Sequence, residues 1–219
     1  METATWCSKT PLTKPALIEL WRIGDPESCA FCGLLYEPES DEDRKYHRSY
    51  HRRHASTLPP RPDKRIAALW LPEGSDLVVH RDSPGWMQQM VYERARRLKR
   101  EEHYDFTQWQ PDGCHWEWSQ DKPEPPHAIV LIENRDIAVG AVCFSNGRHW
   151  SNVAPGWLLA FAWVAPEWRR QGVLSRRWPQ WRQQYGDFLL DPPLSEAMEA
   201  FCAKQGHPTE IQTLEEARA

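Results

Sequence analysis

Two stretches of this 219-residue chain carry groups whose types and spacing can do chemistry. The first is Cys29-x2-Cys32-x14-His47-x3-His51. Two thiols on one tight knuckle can reach a single cation, and two imidazoles one helical turn apart project from the same face. Gly33 lets the knuckle close, and Ser40 with Asp43 can cap the helix that bears both histidines. Zinc is the natural occupant of such a closed sulfur and nitrogen site. The fourteen-residue gap slightly exceeds the twelve of common fingers, and His54 is a third imidazole on the same helix.

The second stretch is Arg169-Arg170-Gln171-Gly172-Val173-Leu174-Ser175. It follows the most apolar strand pattern in the chain, Trp157–Val164, and precedes a helical period of Leu174, Trp178, Trp181 and Tyr185. A glycine between strand and helix lets the backbone approach a ligand closely, and successive N–H groups at a helix start attract phosphate. Arg169 and Arg170 add charge-assisted donors. Arg-x-x-Gly alone is a weak signal; its strand–turn–helix setting gives it weight.

The elements that must position these groups read as follows. Residues 1–15 are polar and frayed, and Ala16–Ile23 can form a strand leading into the cysteine and histidine module, which ends at residue 54. Residues 55–64, with three prolines, form a linker, and a larger mixed domain spans 65–206 before a short tail at 207–219. Ile66–Leu71 and Leu77–His80 read as short strands, and Asp82-Ser83-Pro84 starts a helix that runs to about Arg100. Ala128–Glu133 and Ile137–Phe144 form a hairpin whose unbroken apolar runs predict strands covered on both faces. Phe188–Leu190 is a further strand, and Leu194–Lys204 a final helix. The loops at 107–126 and 145–156 carry no recognisable signature.

Composition narrows the possible partners. The net charge of −4 does not make the molecule a magnet for nucleic acid, and the first turn of the finger helix is the acidic Ser40-Asp41-Glu42-Asp43. That is the half of a finger helix that enters the major groove in base-reading fingers, so direct DNA binding is not expected. No apolar run is long enough to span a membrane, and the N-terminal stretch lacks the pattern of a secretory signal. The six cysteines form no disulfide framework, which predicts a reducing, cytoplasmic setting, or a nuclear one in a eukaryote. The thirteen tryptophans predict an indole-rich core. Arg94–Arg100 reads as a solvated helix face, Cys202 as core, and His80 and His127 as surface or satisfied core residues.

The strand–turn–helix at Trp157–Tyr185 resembles the acetyl-CoA-binding motif of GNAT acetyltransferases, [RQ]-x-x-G-x-[GA], departing at the last position, where Leu174 stands before Ser175. A more specific resemblance is to the establishment-of-cohesion acetyltransferases, which join a zinc finger to a GNAT domain. It rests on Cys29-Ala-Phe-Cys32-Gly33-Leu-Leu-Tyr36, Asp41-Glu42-Asp43, His47 with His51, the order of elements that follows, and Asp191-Pro192.

The resemblance implies an α+β GNAT fold, a mixed twisted sheet with flanking helices, plus a small two-Cys/two-His finger. It implies acetyl-CoA as co-substrate, zinc held by Cys29, Cys32, His47 and His51, and acetylation of an amine, in that family a protein lysine. Backbone groups at Trp163 and Val164 would meet the pantetheine arm and the oxyanion, and residues 169–175 the diphosphate. The Trp157–Val164 strand has no carboxylate to serve as base, so Asp191 and Ser195 are the catalytic candidates. Tyr185 stays open between a general acid and a member of the buried stripe. A non-catalytic module that binds CoA or a protein is the alternative.

Overall fold

A computed structural model of the chain describes residues 27–104, 107, 109, 127–147 and 156–208. They divide into two units, with the break between Ser56 and Thr57. The strand expected at Ala16–Ile23 and most of the two unassigned loops lie outside the described residues.

The first unit is a ββα finger. Strands β1 (Glu27–Ser28) and β2 (Leu35–Tyr36) pair antiparallel and carry the knuckle between them. Gly33 sits at φ 67°, a left-handed conformation that closes the turn at little steric cost, and donates its N–H to the Cys29 carbonyl at 2.7 Å. Helix α1 (Asp41–Thr57) is capped by Ser40, whose Oγ accepts the Asp43 N–H at 3.2 Å. Three carboxylates in its first turn complement the helix dipole.

The second unit is built on a five-stranded sheet in the order β3-β4-β5-β6-β7. β3 (Leu77–Val79), β4 (His127–Glu133), β5 (Ile137–Gly147) and β6 (Gly156–Val164) run antiparallel to their neighbours, and β7 (Leu189–Leu190) joins β6 in parallel. β4 is buried along nearly its whole length because both faces are covered. Strand alternation sends Ala128, Val130 and Ile132 to one face, where α3 (Gly85–Glu101) packs Met87, Met90, Val91, Ala95 and Leu98 against them. Ile129 and Leu131 point to the other face and meet Val173, Trp178, Trp181 and Tyr185 of α4 (Val173–Tyr185), with Cys202 of α5 (Glu196–Gln205) behind. The indole-rich core expected from composition is centred here: Trp178 and Trp181 are almost fully buried.

Two expectations fail for identifiable reasons. Ile66–Leu71 is not a strand: Asp63 accepts the Arg65 N–H at 2.8 Å and starts the short helix α2 (Lys64–Ala67), so a local cap overrides the apolar pattern. The Arg94–Arg100 run is not uniformly solvated either. Arg94 is fully buried, with Nη1 donating to the Met90 carbonyl at 2.9 Å and Nη2 to that of Ala138 at 2.8 Å, which ties α3 to β5. No helix of the described residues is long and apolar enough to cross a membrane.

Candidate active site and metal centre

In the finger, ligand atoms of Cys29, Cys32, His47 and His51 all lie within 4.8 Å of one another. Cys29 Sγ and His51 Nδ1 are 3.6 Å apart. His47 Nε2 is buried with no hydrogen-bond partner among the described residues, the state of a donor set shaped around a cation. The backbone N–H of Cys32 is the main influence holding the Cys29 thiol down, to about 6, against burial that opposes it, so the metal-binding thiolate is favoured. These four residues fit zinc. His54, the third imidazole, is not in the cluster; it is buried, stacked on Tyr50 and edge-on to Phe31.

In the second unit, β6 and β7 pair only at Leu158 with Leu189 and Leu159 with Leu190. On the other side of β6, Phe161 faces Cys143 while Leu159 faces Phe144, so Ala160 is a bulge residue with no partner on β5. A bulge bends the strand that carries it. The bend falls where the parallel pairing stops, and beyond it β6 continues to Val164 beside an open edge. The Ala165 N–H donates to the Val139 carbonyl, so by strand alternation the backbone of Ala162 faces that edge rather than β5.

A cavity of about 260 Å³ occupies the parting. Ala160, Phe161 and Ala162 form one wall, Leu190–Ser195 and Met198 another, and Leu98 with Glu102–Tyr104 at the end of α3 a third. Asp191 and Ser195 therefore line one cavity. Burial raises the Asp191 carboxyl to about 6. Tyr104 spans two walls, donating its hydroxyl to the Pro193 carbonyl at 2.9 Å, and burial, then the charges of Glu102 and Asp191, push its phenol up.

At the far end of β6 the chain makes a 3-10 turn at Pro166–Trp168 and enters α4 through Gly172, whose φ of 77° only glycine adopts readily. Arg170 and Gln171 are exposed, Gly172, Leu174 and Ser175 are half-buried, and Val173 packs into the core. Arg169–Gly172 form a hydrogen-bonded turn, within which the backbone N–H groups of Arg170, Gln171, Gly172 and Val173 make no short, well-aligned bond to a protein acceptor among the described residues. The Gln171 carbonyl is held by Arg176 Nη1 at 2.7 Å. What remains is an exposed turn at a helix start whose N–H groups are weakly engaged, a shape that suits a diphosphate.

Arg169 is turned inward: its Nε donates to the Val164 carbonyl at 2.8 Å and its Nη2 to Glu101 at 2.6 Å. Trp163 also donates to Glu101, through Nε1 at 3.0 Å. Tyr185 does not line the cavity; its hydroxyl is hydrogen-bonded to His127 Nε2 at 2.6 Å inside an aromatic cluster with Phe144 and Trp157. Sequence reasoning missed Glu101, Glu102 and Tyr104. A carboxylate in the last turn of an amphipathic helix looks like any solvated residue, and nothing in its spacing marks it.

Residues 22–53 match the zinc finger of the ESCO acetyltransferases. The ESCO-type finger includes all four clustered ligands. No curated protein matches the chain in sequence. Among solved structures, an aminoglycoside 6′-N-acetyltransferase from Acinetobacter haemolyticus is 18% identical, with a TM-score of 0.30, over 41% of this chain and 66% of that one. The chain thus spans just under two thirds of that protein's length. An aminoglycoside acetyltransferase from an uncultured soil metagenomic sample, in complex with sisomicin, is 15% identical with a TM-score of 0.41, over 64% of this chain and 91% of that one. A ribosomal-protein-alanine N-acetyltransferase from Brucella melitensis is 12% identical with a TM-score of 0.39, over 64% and 94%. At such identities and scores these likenesses transfer no activity and no residue role. The finger resembles that of the ESCO acetyltransferases, and the second unit is a mixed sheet with flanking helices, ending in a parallel pair that parts.

Proposed function

We propose that the chain is an N-acetyltransferase that moves the acetyl group of acetyl-CoA directly to a primary amine, the ε-amine of a protein lysine. The observation that carries this reading is the parting of β6 from β7 at the Ala160 bulge. It places an open strand edge and a carboxylate-lined cavity on the same strand that leads on to the exposed turn at Gly172.

The diphosphate of CoA would sit on the turn at residues 170–173, and its pantetheine arm along the free edge at Ala162 and the Val164 N–H, the Val164 carbonyl being held by Arg169. The acyl carbon would then lie near the cavity. There a neutral amine attacks the thioester, a C–N bond forms, the C–S bond breaks, and the sulfur leaves as thiolate. Asp191, its pKa raised to about 6 by burial, is suited to take the proton of the attacking amine, because a base is most effective when its pKa approaches the working pH. The walls supply Asp191 and Glu102, both negative when ionised, which favours a cationic acceptor such as lysine. The finger serves as a structural or protein-contact module, consistent with its acidic first turn. Cys29 and Cys32 form no disulfide and share one metal-ligand cluster, which suits a reducing compartment.

The test is calorimetric titration with CoA, followed by a thiol-release assay with acetyl-CoA and lysine-containing peptides. Saturable CoA binding with acceptor-dependent thiol release is expected. CoA binding without release from any amine would point to a non-catalytic module, and no CoA binding would end the reading.

A further inference from the structure

We infer that Glu101 is a positioning residue for the cofactor turn, acting through Arg169, and that Arg169 braces the turn rather than contacting phosphate. The inference rests on the acetyl-CoA reading above. Glu101 closes α3, and its two oxygens receive three donors from three places. Oε1 accepts from Arg97 Nε at 2.7 Å, one turn back on its own helix. Oε2 accepts from Trp163 Nε1 on β6 at 3.0 Å and from Arg169 Nη2 at 2.6 Å. The Arg169 guanidinium then reaches on to the Val164 carbonyl through Nε at 2.8 Å.

The geometry gives this chain of contacts a definite job. Val164 is the last residue of β6, and its carbonyl lies on the strand's open side, where no sheet partner takes it. Arg169 occupies that carbonyl, which fixes where the chain leaves the strand and therefore how residues 170–173 present their N–H groups. A guanidinium is a planar fork that can bind a carboxylate and a carbonyl at once while holding both at a set angle. The Glu101 side chain is mostly buried whereas that of Arg169 is about half exposed, so the carboxylate is the fixed point and the arginine the arm. Glu101 is also one residue before the cavity wall at Glu102–Tyr104. One carboxylate thus ties the acceptor wall, the acyl strand and the diphosphate turn together.

The measurement is the Kd for CoA by calorimetry on the full zinc-loaded chain, for Glu101→Ala, Arg169→Ala and the double variant, with Glu101→Gln alongside. Each single alanine variant is expected to weaken CoA about tenfold, and the double variant no further, because the two residues act as one strut. Glu101→Gln keeps an oxygen acceptor and is expected to recover part of the loss. With an acceptor in hand, KM for acetyl-CoA should rise while kcat at saturation stays near wild type. If Arg169→Ala weakens CoA while Glu101→Ala and Glu101→Gln bind as wild type does, Arg169 is a direct phosphate ligand and the inference is wrong. It is equally wrong if the variants melt earlier without ligand yet keep the wild-type Kd. Should Glu101→Ala not fold, Glu101→Gln decides on the same terms. Wild-type protein that ignores CoA would instead sink the acetyltransferase reading, a result easily told from the others.

Discussion

The backbone N–H of Asp191 donates to the carbonyl of Leu159 at 3.1 Å, the last link between β6 and β7 before the strands separate. The same residue therefore ends the sheet and opens the cavity. Its carboxyl is raised to about 6 by burial. A general base must be ionised, so kcat/KM should climb as pH rises through about 6, on top of the slope contributed by the acceptor amine. Asp191→Asn should lower kcat by about a hundredfold or more and erase that limb of the profile. A variant within a few-fold of wild type would remove Asp191 from the mechanism.

The same substitution has a predictable effect on stability. The folded pKa of Asp191 lies above its unfolded value, so the group favours folding at pH below the unfolded pKa of about 4 and loses that contribution as pH rises through about 6. At pH 8 the folded protein holds a buried, ionised carboxylate at a cost. Asp191→Asn should therefore melt higher than wild type at pH 8, with the gap closing toward pH 4. Thermal denaturation across that range checks it, and a lower melting temperature at pH 8 would contradict the assignment of burial as the cause.

The metal site makes a sharp distinction between two histidines on one helix. His51→Ala should lose zinc, because its Nδ1 is turned toward Cys29, and His54→Ala should keep it, because His54 stacks on Tyr50 outside the ligand cluster. Native mass spectrometry of both variants reads the result directly. Stripping zinc with a strong chelator should unfold the finger, since a site of this kind contributes on the order of 10 kcal/mol, while the sheet of the second unit keeps its own core.

The parts of the fold and site that could be read in the sequence are those where one local pattern settles the outcome. The four metal ligands follow from spacing along a knuckle and a helix. The Gly172 turn follows from a glycine between an apolar strand and an amphipathic helix, and the hairpin from two apolar runs around Asn134-Arg135-Asp136. What stayed hidden depends on pairs far apart in the chain. The Ala160 bulge exists only relative to the register of β5, and nothing in WLLAFAWV announces it. Glu101 meets Arg169 across 68 positions, and Arg94 is buried only because Ala138 offers its carbonyl. Ile66–Leu71 misled because an apolar run of that length suits a strand as well as a helix, and the cap at Asp63 decided between them.

Gly140 offers a last test of how β6 is placed. It faces Val164 across the ladder, and a Cβ built on it would come within 2.5 Å of the Trp163 carbonyl oxygen and 3.1 Å of Leu131 Cδ1. The first of these is backbone and cannot swing aside, so Gly140→Ala must push β5 and β6 apart at the point where β6 delivers its chain to the cofactor turn. Overpacking of this kind costs about 1–3 kcal/mol, and the displacement should also disturb the Trp163 to Glu101 hydrogen bond. The expected outcome is a melting temperature lower by several degrees together with weaker CoA binding. The contrasting control is Gly156→Ala at the other end of β6, where an added Cβ meets nothing within 4 Å. That variant should bind CoA as wild type does, and equal losses from the two would mean that close packing at Gly140 does not set the position of the strand's end.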